Sequence, residues 1–170
     1  VKDFDHFMNR ASVISTEGDE LLSNALSILR DQKWKDMRAT LSPAFTGSKM
    51  RMMFDLIRDC ADDFVKYCND NCVNDRIEID AKDIFSKVTT NVISTTAFGL
   101  KVDSVRDPTN PILINAKKAF NNKGIKVMLK FIFMTTFPKL ANKFKIGFVP
   151  SESNNFFKKL VADTIEHRRK

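Results

Sequence analysis

Glycine and histidine are too few and too scattered to build ligand-cradling loops. The 170 residues include five glycines, Gly18, Gly47, Gly99, Gly124 and Gly147, and two histidines, His6 and His167. That spacing excludes dinucleotide and phosphate loops, and the histidine count excludes a His-rich metal site. With 43% hydrophobic and 29% charged residues and only five prolines, the chain is neither collagenous, low-complexity nor disordered. Its length suits one ordinary domain or a large piece of a bigger one. The three cysteines, Cys60, Cys68 and Cys72, form no C-x-x-C pair, and no N-terminal stretch has the layout of a signal peptide. A reducing compartment is the expectation. Cys68 and Cys72 stand four apart, but a tetrahedral metal site needs three or four N or S ligands and no histidine is near, so buried free thiols are expected. No run approaches the roughly 18 apolar residues of a spanning helix, so membrane contact, where it occurs, should be peripheral.

Acidic residues are missing from one long stretch. Between Pro108 and Ser151 there is no Asp or Glu, while Lys117, Lys118, Lys123, Lys126, Lys130, Lys139, Lys143 and Lys145 contribute +8. The whole chain nets +7, so everything outside that stretch sums to −1.

The apolar periodicity that remains is helical. Trp34, Met37, Leu41 and Phe45 step by three or four, with Arg38 on the stripe of Trp34, and Pro43 disfavours helical dihedrals at Ser42. A short helix ending near Leu41 is predicted. A second, from about Ser48 to Tyr67, has Met53, Phe54, Ile57, Ala61, Phe64, Val65 and Cys68 on one face. Asn69 to Asp75 is a polar breaker, and Arg76-Ile77-Glu78-Ile79 alternates like a short strand. Asp80 is an N-cap for a third helix with Asp83 in its first turn and Ile84, Phe85, Val88, Val92, Ile93 and Thr96 in helical register, stopped by Gly99. Asn110-Pro111 opens a fourth, with Ile112, Ala116 and Phe120 on one face and Gly124 as its end. Ser151 and Ser153 are expected to cap a last helix carrying Phe156, Phe157, Leu160, Val161 and Ile165. That helix runs into His167-Arg168-Arg169-Lys170 without a closing cap, so residues 1–170 read as a single partial domain, mainly α with a minor β element.

The run Gln32-Lys33-Trp34-Lys35-Asp36-Met37-Arg38-Ala39-Thr40-Leu41-Ser42-Pro43-Ala44-Phe45-Thr46 resembles the C-helix region of cytochrome P-450 monooxygenases. Its Trp-x-x-x-Arg signature followed by Leu-Ser-Pro-Ala-Phe-Thr is similar to the microsomal class, most of all to the insect detoxification branch. Ser94-Thr95-Thr96-Ala97-Phe98-Gly99 is similar to the end of the family's E-helix, and Asn154-Asn155-Phe156-Phe157 to the start of its G-helix. The likeness covers essentially all 170 residues, from the loop before the C-helix through the G-helix. It does not cover the family's Phe-x-x-Gly-x-x-x-Cys-x-Gly loop, and none of the three cysteines has a glycine within three residues. Glu166-x-x-Arg169 and Ala162-Asp163-Thr164 echo two other family motifs, but both fall at the wrong place and are ordinary helix residues.

The resemblance implies a helical cytochrome P-450-like fold and heme as cofactor, with Trp34 and Arg38 holding a heme propionate. An indole N–H and a forked guanidinium one turn apart can converge on one anion. A core Trp beside a surface Arg is the plainer alternative. It also implies that Lys33 and Lys35 lie on the surface that receives an NADPH-dependent flavoprotein reductase, though two helix lysines can equally be a solvated face. Ser27 and Ile28 match positions that face an apolar small-molecule substrate, as does Phe120, while Leu22, Leu26 and Leu29 suit packing. No residue of this stretch is expected to be catalytic or to ligate a metal, and the stretch alone is expected to be inactive. By the same resemblance the complete protein is a monooxygenase that inserts one oxygen atom into apolar small molecules, xenobiotic or endogenous.

The Lys-rich, Phe-rich segment Ile125 to Phe148 has the composition of a membrane-surface contact, and the expected location is the cytoplasmic face of the endoplasmic reticulum membrane. A different class of function fits the same charge: a non-catalytic basic helical module for anionic membrane or nucleic acid. All eight cations are lysines among Phe and Ile, without the interleaved Arg and polar residues of nucleic-acid binders, so no nucleic-acid partner is expected.

Overall fold

The computed structural model describes Asn9 and residues 18–120 and 124–169. His6, Lys123 and Lys170, which figure in the sequence reading, lie outside the described residues. The helices in chain order are α1 (Glu20–Ser23), α2 (Asp31–Leu41), α3 (Gly47–Asp70), α4 (Ala81–Ile93), α5 (Pro111–Phe120), α6 (Ile125–Thr136), α7 (Pro138–Lys143) and α8 (Ser151–Arg169). A 3-10 turn, Ser42–Phe45, follows α2, and a π turn, Ser94–Phe98, follows α4. The chain divides into two compact units, one of residues up to Phe45 with Lys118–Lys158, the other of Thr46–Lys117 with Lys159 onward.

In the second unit α3 packs on α4 and its π turn. Phe64 meets Phe85 with ring centroids 5.9 Å apart. The unit's buried residues, among those described, are Ile84, Val105, Ile112 and Leu113 together with Thr90, Ser94, Ser104 and Asn115. In α4 and the π turn after it the threonine hydroxyls bond back to the preceding turn: Thr89 Oγ1 donates to the carbonyl of Phe85, Thr90 to that of Ser86 and Thr96 to that of Val92, each at 2.7 Å. Asp80 caps α4 as expected, accepting the N–H of Asp83 at 2.8 Å. Gly99 stops the π turn at φ 67°, with the Leu100 N–H returning to the Ser94 carbonyl. Arg168 Nη2 donates to the Phe98 carbonyl at 3.0 Å and occupies the space a Cβ on Gly99 would need.

Helix α4 is also tied to α5 by charge. Asp83 bonds Lys117 at 2.5 Å and Lys87 at 2.8 Å, and the hydrogen bond from Lys117, then that from Lys87, holds its carboxyl below the usual value. In the first unit the buried apolar residues are Met134, Ala141 and Ala119. Phe133 and Phe137 stack across the bend between α6 and α7 at 5.7 Å.

Two expectations need correction. The alternating Arg76–Ile79 forms no strand among the described residues. Val73 and Arg76 instead exchange both backbone hydrogen bonds in one antiparallel bridge around Asn74 and Asp75, which both have positive φ. That is a tight I′-type turn, and residues 77–79 have no second strand to pair with. Gly124, at φ 108°, stands immediately before the first residue of α6, and residues 121–123, between it and Phe120, lie outside the described residues. Ser151 and Ser153 are no caps: both lie inside the first turn of α8, and the Ser153 hydroxyl is buried with no hydrogen-bond partner among the described residues.

The cysteines are free but not uniformly buried. Cys60 and Cys68 are half-buried, whereas Cys72 is exposed just beyond α3, where no element covers the turn. Among the described residues no group of three His, Cys, Asp or Glu is placed to hold a metal ion, and no helix is long and apolar enough to cross a membrane.

Candidate functional site

Helix α2 forms where the spacing of Trp34, Met37 and Leu41 places it and ends at Leu41, but Ser42 keeps helical dihedrals (φ −55°, ψ −38°) and the chain runs on as the 3-10 turn Ser42–Phe45 in spite of Pro43. At its start Asp31 has φ 49°, and the side chain of Asn9 steadies it reciprocally: the Asn9 carbonyl oxygen accepts the Asp31 N–H at 3.0 Å and its amide donates to the Asp31 carboxyl at 2.6 Å. At its end the Ser42 hydroxyl donates to the Arg38 carbonyl at 2.7 Å. No residue of α2 is fully buried.

Trp34 is half-buried and Arg38 exposed. Four positions apart on one helix, they are neighbours on one face, their Cβ atoms about 5–6 Å apart. Among the described residues the Arg38 guanidinium has no carboxylate partner and the Trp34 indole N–H no acceptor. The nearby Asp36 carboxyl is occupied by the Gln32 amide at 2.7 Å. Among the described residues a forked cation and a neutral donor therefore stand side by side with no carboxylate paired to either. Lys33 and Lys35 flank this face and are both exposed.

Ser27 and Ile28 lie in the turn after α1. The Ile28 and Leu29 N–H groups both return to the Ala25 carbonyl, at 2.8 and 3.0 Å, and this coil turns Ser27 and Ile28 outward. Leu22, Leu26 and Leu29 are half-buried, the packing role expected of them. Phe120, the last residue of α5, is 79% exposed. Among the described residues no hydrogen bond, ion pair or ring contact joins Ser27, Ile28 or Phe120 to Trp34 or Arg38. The structure thus brings together the α2 pair and leaves the three pocket residues as separate exposed positions.

A residue that sequence reasoning passed over is among the most enclosed of those described. Asp19 is 0% exposed, and its side-chain oxygens accept the backbone N–H groups of Phe148 and, at 3.0 Å, Val149. Nothing in a lone Asp after a Gly announces a partner 129 residues away. In the second unit a cavity of about 510 Å³ is lined by Asp59, Asp63, Asn91, Thr95, Asp103 and Arg106 among others, and none of the residues named for cofactor or substrate belongs to it. Arg106 there pairs with Asp103 at 3.0 Å, which raises its already high pKa, and lies 5.8 Å from the centre of the Tyr67 ring.

Among the described residues the protein is thus helical, with Trp34 and Arg38 on one face of a short helix none of whose residues is buried. The sequence profile of the family described as cytochrome P450, here written cytochrome P-450, matches residues 2–170. The chain is 36% identical over 174 residues to cytochrome P-450 9b2 of Drosophila melanogaster, an alignment covering all of this chain and 34% of that protein. It is 38% identical over 178 residues to the probable cytochrome P-450 9f2 of the same fly, and 34% identical over 185 residues to cytochrome P-450 9e2 of Blattella germanica, each covering 99% of this chain and 34% of the relative. The chain therefore belongs to the cytochrome P-450 family, and it spans about a third of the length of the curated relatives it matches.

Heme, the cofactor this family implies, carries anionic propionates. The α2 face fits one: two donors one turn apart, one of them permanently charged, both lacking a partner among the described residues. The described cysteines do not supply an axial sulfur in any family-like setting, since Cys60 and Cys68 are helix residues of α3, Cys60 lying 4.0 Å from Thr95 Oγ1, and Cys72 sits in a polar turn.

Proposed function

We propose that this chain is part of a single cytochrome P-450 domain whose complete form is a heme-dependent monooxygenase acting on apolar small molecules. The observation that carries the reading is the donor pair on α2 in a chain matched by the family along its whole length. Heme, when bound, supplies the iron chemistry by which one oxygen atom enters the substrate. This chain's own contribution is to orient and to bind. Arg38 holds a propionate through its charged fork and Trp34 adds a neutral hydrogen bond. Ser27, Ile28 and Phe120 border the substrate, and Lys33 and Lys35 form part of the surface met by an NADPH-dependent reductase. Without the axial sulfur the stretch is inactive by itself. Nothing in the comparisons favours the non-catalytic basic module.

The test is heme retention in the full-length protein. Arg38→Ala removes a charged hydrogen-bond donor, a loss of about 1.5–3 kcal/mol, or roughly 10- to 150-fold in affinity. Arg38→Lys keeps the charge and should lose less, and Trp34→Phe less still. Unchanged heme content in Arg38→Ala would remove the propionate role.

The segment Ile125 to Phe148 is the proposed membrane-surface contact, at the cytoplasmic face of the endoplasmic reticulum. Support comes from α6 and α7, which leave Ile125, Met128, Leu129, Phe131, Ile132 and Phe137 exposed among lysines. Apolar side chains can enter the acyl boundary while each ammonium near an anionic surface adds about 1 kcal/mol. Vesicle flotation should fall when Phe131, Ile132, Phe133 and Phe137 are all changed to Ser. Equal flotation of the two forms would rule the segment out, and DNA that competes with vesicles would revive the basic module.

A further inference from the structure

We propose that Asp19 is a positioning residue for the substrate-facing turn, acting through a buried clasp on the backbone just before α8. The inference rests on the reading of Ser27 and Ile28 given above. One end of Asp19, its carboxyl, takes the N–H groups of Phe148 and Val149 and stands 3.5 Å from the Asn154 amide. The other end, its main-chain carbonyl, accepts the Ser23 N–H at 2.8 Å. Two further backbone bonds fold the residues that follow, the Ala25 N–H to the Leu22 carbonyl at 3.0 Å and the Ile28 N–H to the Ala25 carbonyl at 2.8 Å. A displacement of Asp19 thus reaches Ile28 through the short helix α1 and these turns.

The far side is equally fixed. The Ile146 N–H returns to the Ala141 carbonyl at the end of α7, and the Asn154 N–H to the Pro150 carbonyl in the first turn of α8. The two backbones touch where only glycine fits. A Cβ on Gly18 would lie 2.6 Å from the Ile146 carbonyl carbon, and one on Gly147 would lie 2.7 Å from Asp19 Oδ1. Neither glycine has positive φ, so close approach alone demands them.

The clasp is polar, and its surroundings are incompletely satisfied. Asn154 Oδ1, Ser153 Oγ and Asn142 Oδ1 are buried without hydrogen-bond partners among the described residues. Buried unpaired polar atoms cost free energy, so a junction built of them opens more readily than an apolar core. That combination, two rigidly anchored sides joined by a releasable polar tie, suits a device that sets where the substrate turn sits.

The experiment compares Asp19→Asn, Asn154→Ala and Ile28→Ala in the full-length enzyme. Asp19→Asn replaces an acceptor oxygen by an NH2 that faces a backbone N–H. Deuterium exchange of the peptide spanning 146–150 should speed up about tenfold. With 7-ethoxycoumarin as the apolar probe, KM should rise about three- to tenfold while kcat stays within twofold. Asn154→Ala removes only the longest contact and keeps both backbone bonds, so it guards against a misfolded first variant. Its KM should rise about twofold, with a matching smaller gain in exchange. Ile28→Ala should raise KM without altering exchange at 146–150. Faster exchange with unchanged KM, while Ile28→Ala still raises KM, would make the clasp merely structural and overturn the proposal. Unchanged KM in Ile28→Ala would sink the substrate-facing reading itself, and with it the route through which Asp19 is held to act.

Discussion

The Asp19 junction and the α3–α4 pair are held in opposite ways. At the junction a carboxyl with no exposure, two glycines and a few backbone amides meet across 129 residues of sequence. Along α3 the sequence offers seven apolar residues on one stripe, yet no residue of the helix is fully buried. Enclosure follows from what lies opposite a residue, and hydrophobicity decides only how favourable that enclosure is. A stripe is a property of one segment, whereas a partner is a property of two.

The largest effect expected from that contrast comes from exchanging one hydrogen atom for a methyl group in each region. Gly147→Ala forces a Cβ to within 2.7 Å of Asp19 Oδ1 and of the Gly18 carbonyl oxygen, so the clasp must give way. Overpacking of this kind typically costs about 1–3 kcal/mol. Gly47, the first residue of α3, has nothing within 4 Å of the same added atom. Gly47→Ala should be neutral or stabilising by up to about 1 kcal/mol, because it lowers the entropy of the unfolded chain and improves helix propensity. Thermal unfolding of both variants checks the pair. A Gly147→Ala protein as stable as the parent would mean that the junction is looser than its contacts state.

What could be read in the sequence was the chemistry that acts within about four residues. The end of α2 before Pro43, the Asp80 cap on the Asp83 N–H and the left-handed stop at Gly99 all appear where local rules put them. The α2 pair was legible for the same reason, since positions 34 and 38 face together on any helix. The failures are non-local. Arg76–Ile79 has the alternation of a strand but no partner, so only the single bridge to Val73 forms. Asp19 has no pattern at all, because its meaning resides in two amides near the other end of the chain. Ser153 had the right identity for a cap and sits instead inside the first turn of α8, its hydroxyl buried and without a partner among the described residues.

The smallest expected effect is on α3, and it sharpens the contrast most. Phe54 is 65% exposed and borders, with Met50, Met53 and Ile57, an open groove of about 440 Å³. Phe64, on the same stripe, is half-buried against Phe85. By sequence the two are equivalent. By contact they are not: removing Phe64 forfeits an aromatic pair of about 0.5–1.5 kcal/mol in addition to its apolar burial. Phe54 gives up little water-excluded area, and an exposed substitution stays within about 0.5 kcal/mol. Denaturant unfolding of this 170-residue chain carrying Phe54→Ser or Phe64→Ser separates the cases. The midpoint should hold for Phe54→Ser and fall for Phe64→Ser. Equal losses would mean that the stripe alone, and not the partner across from it, governs stability in α3.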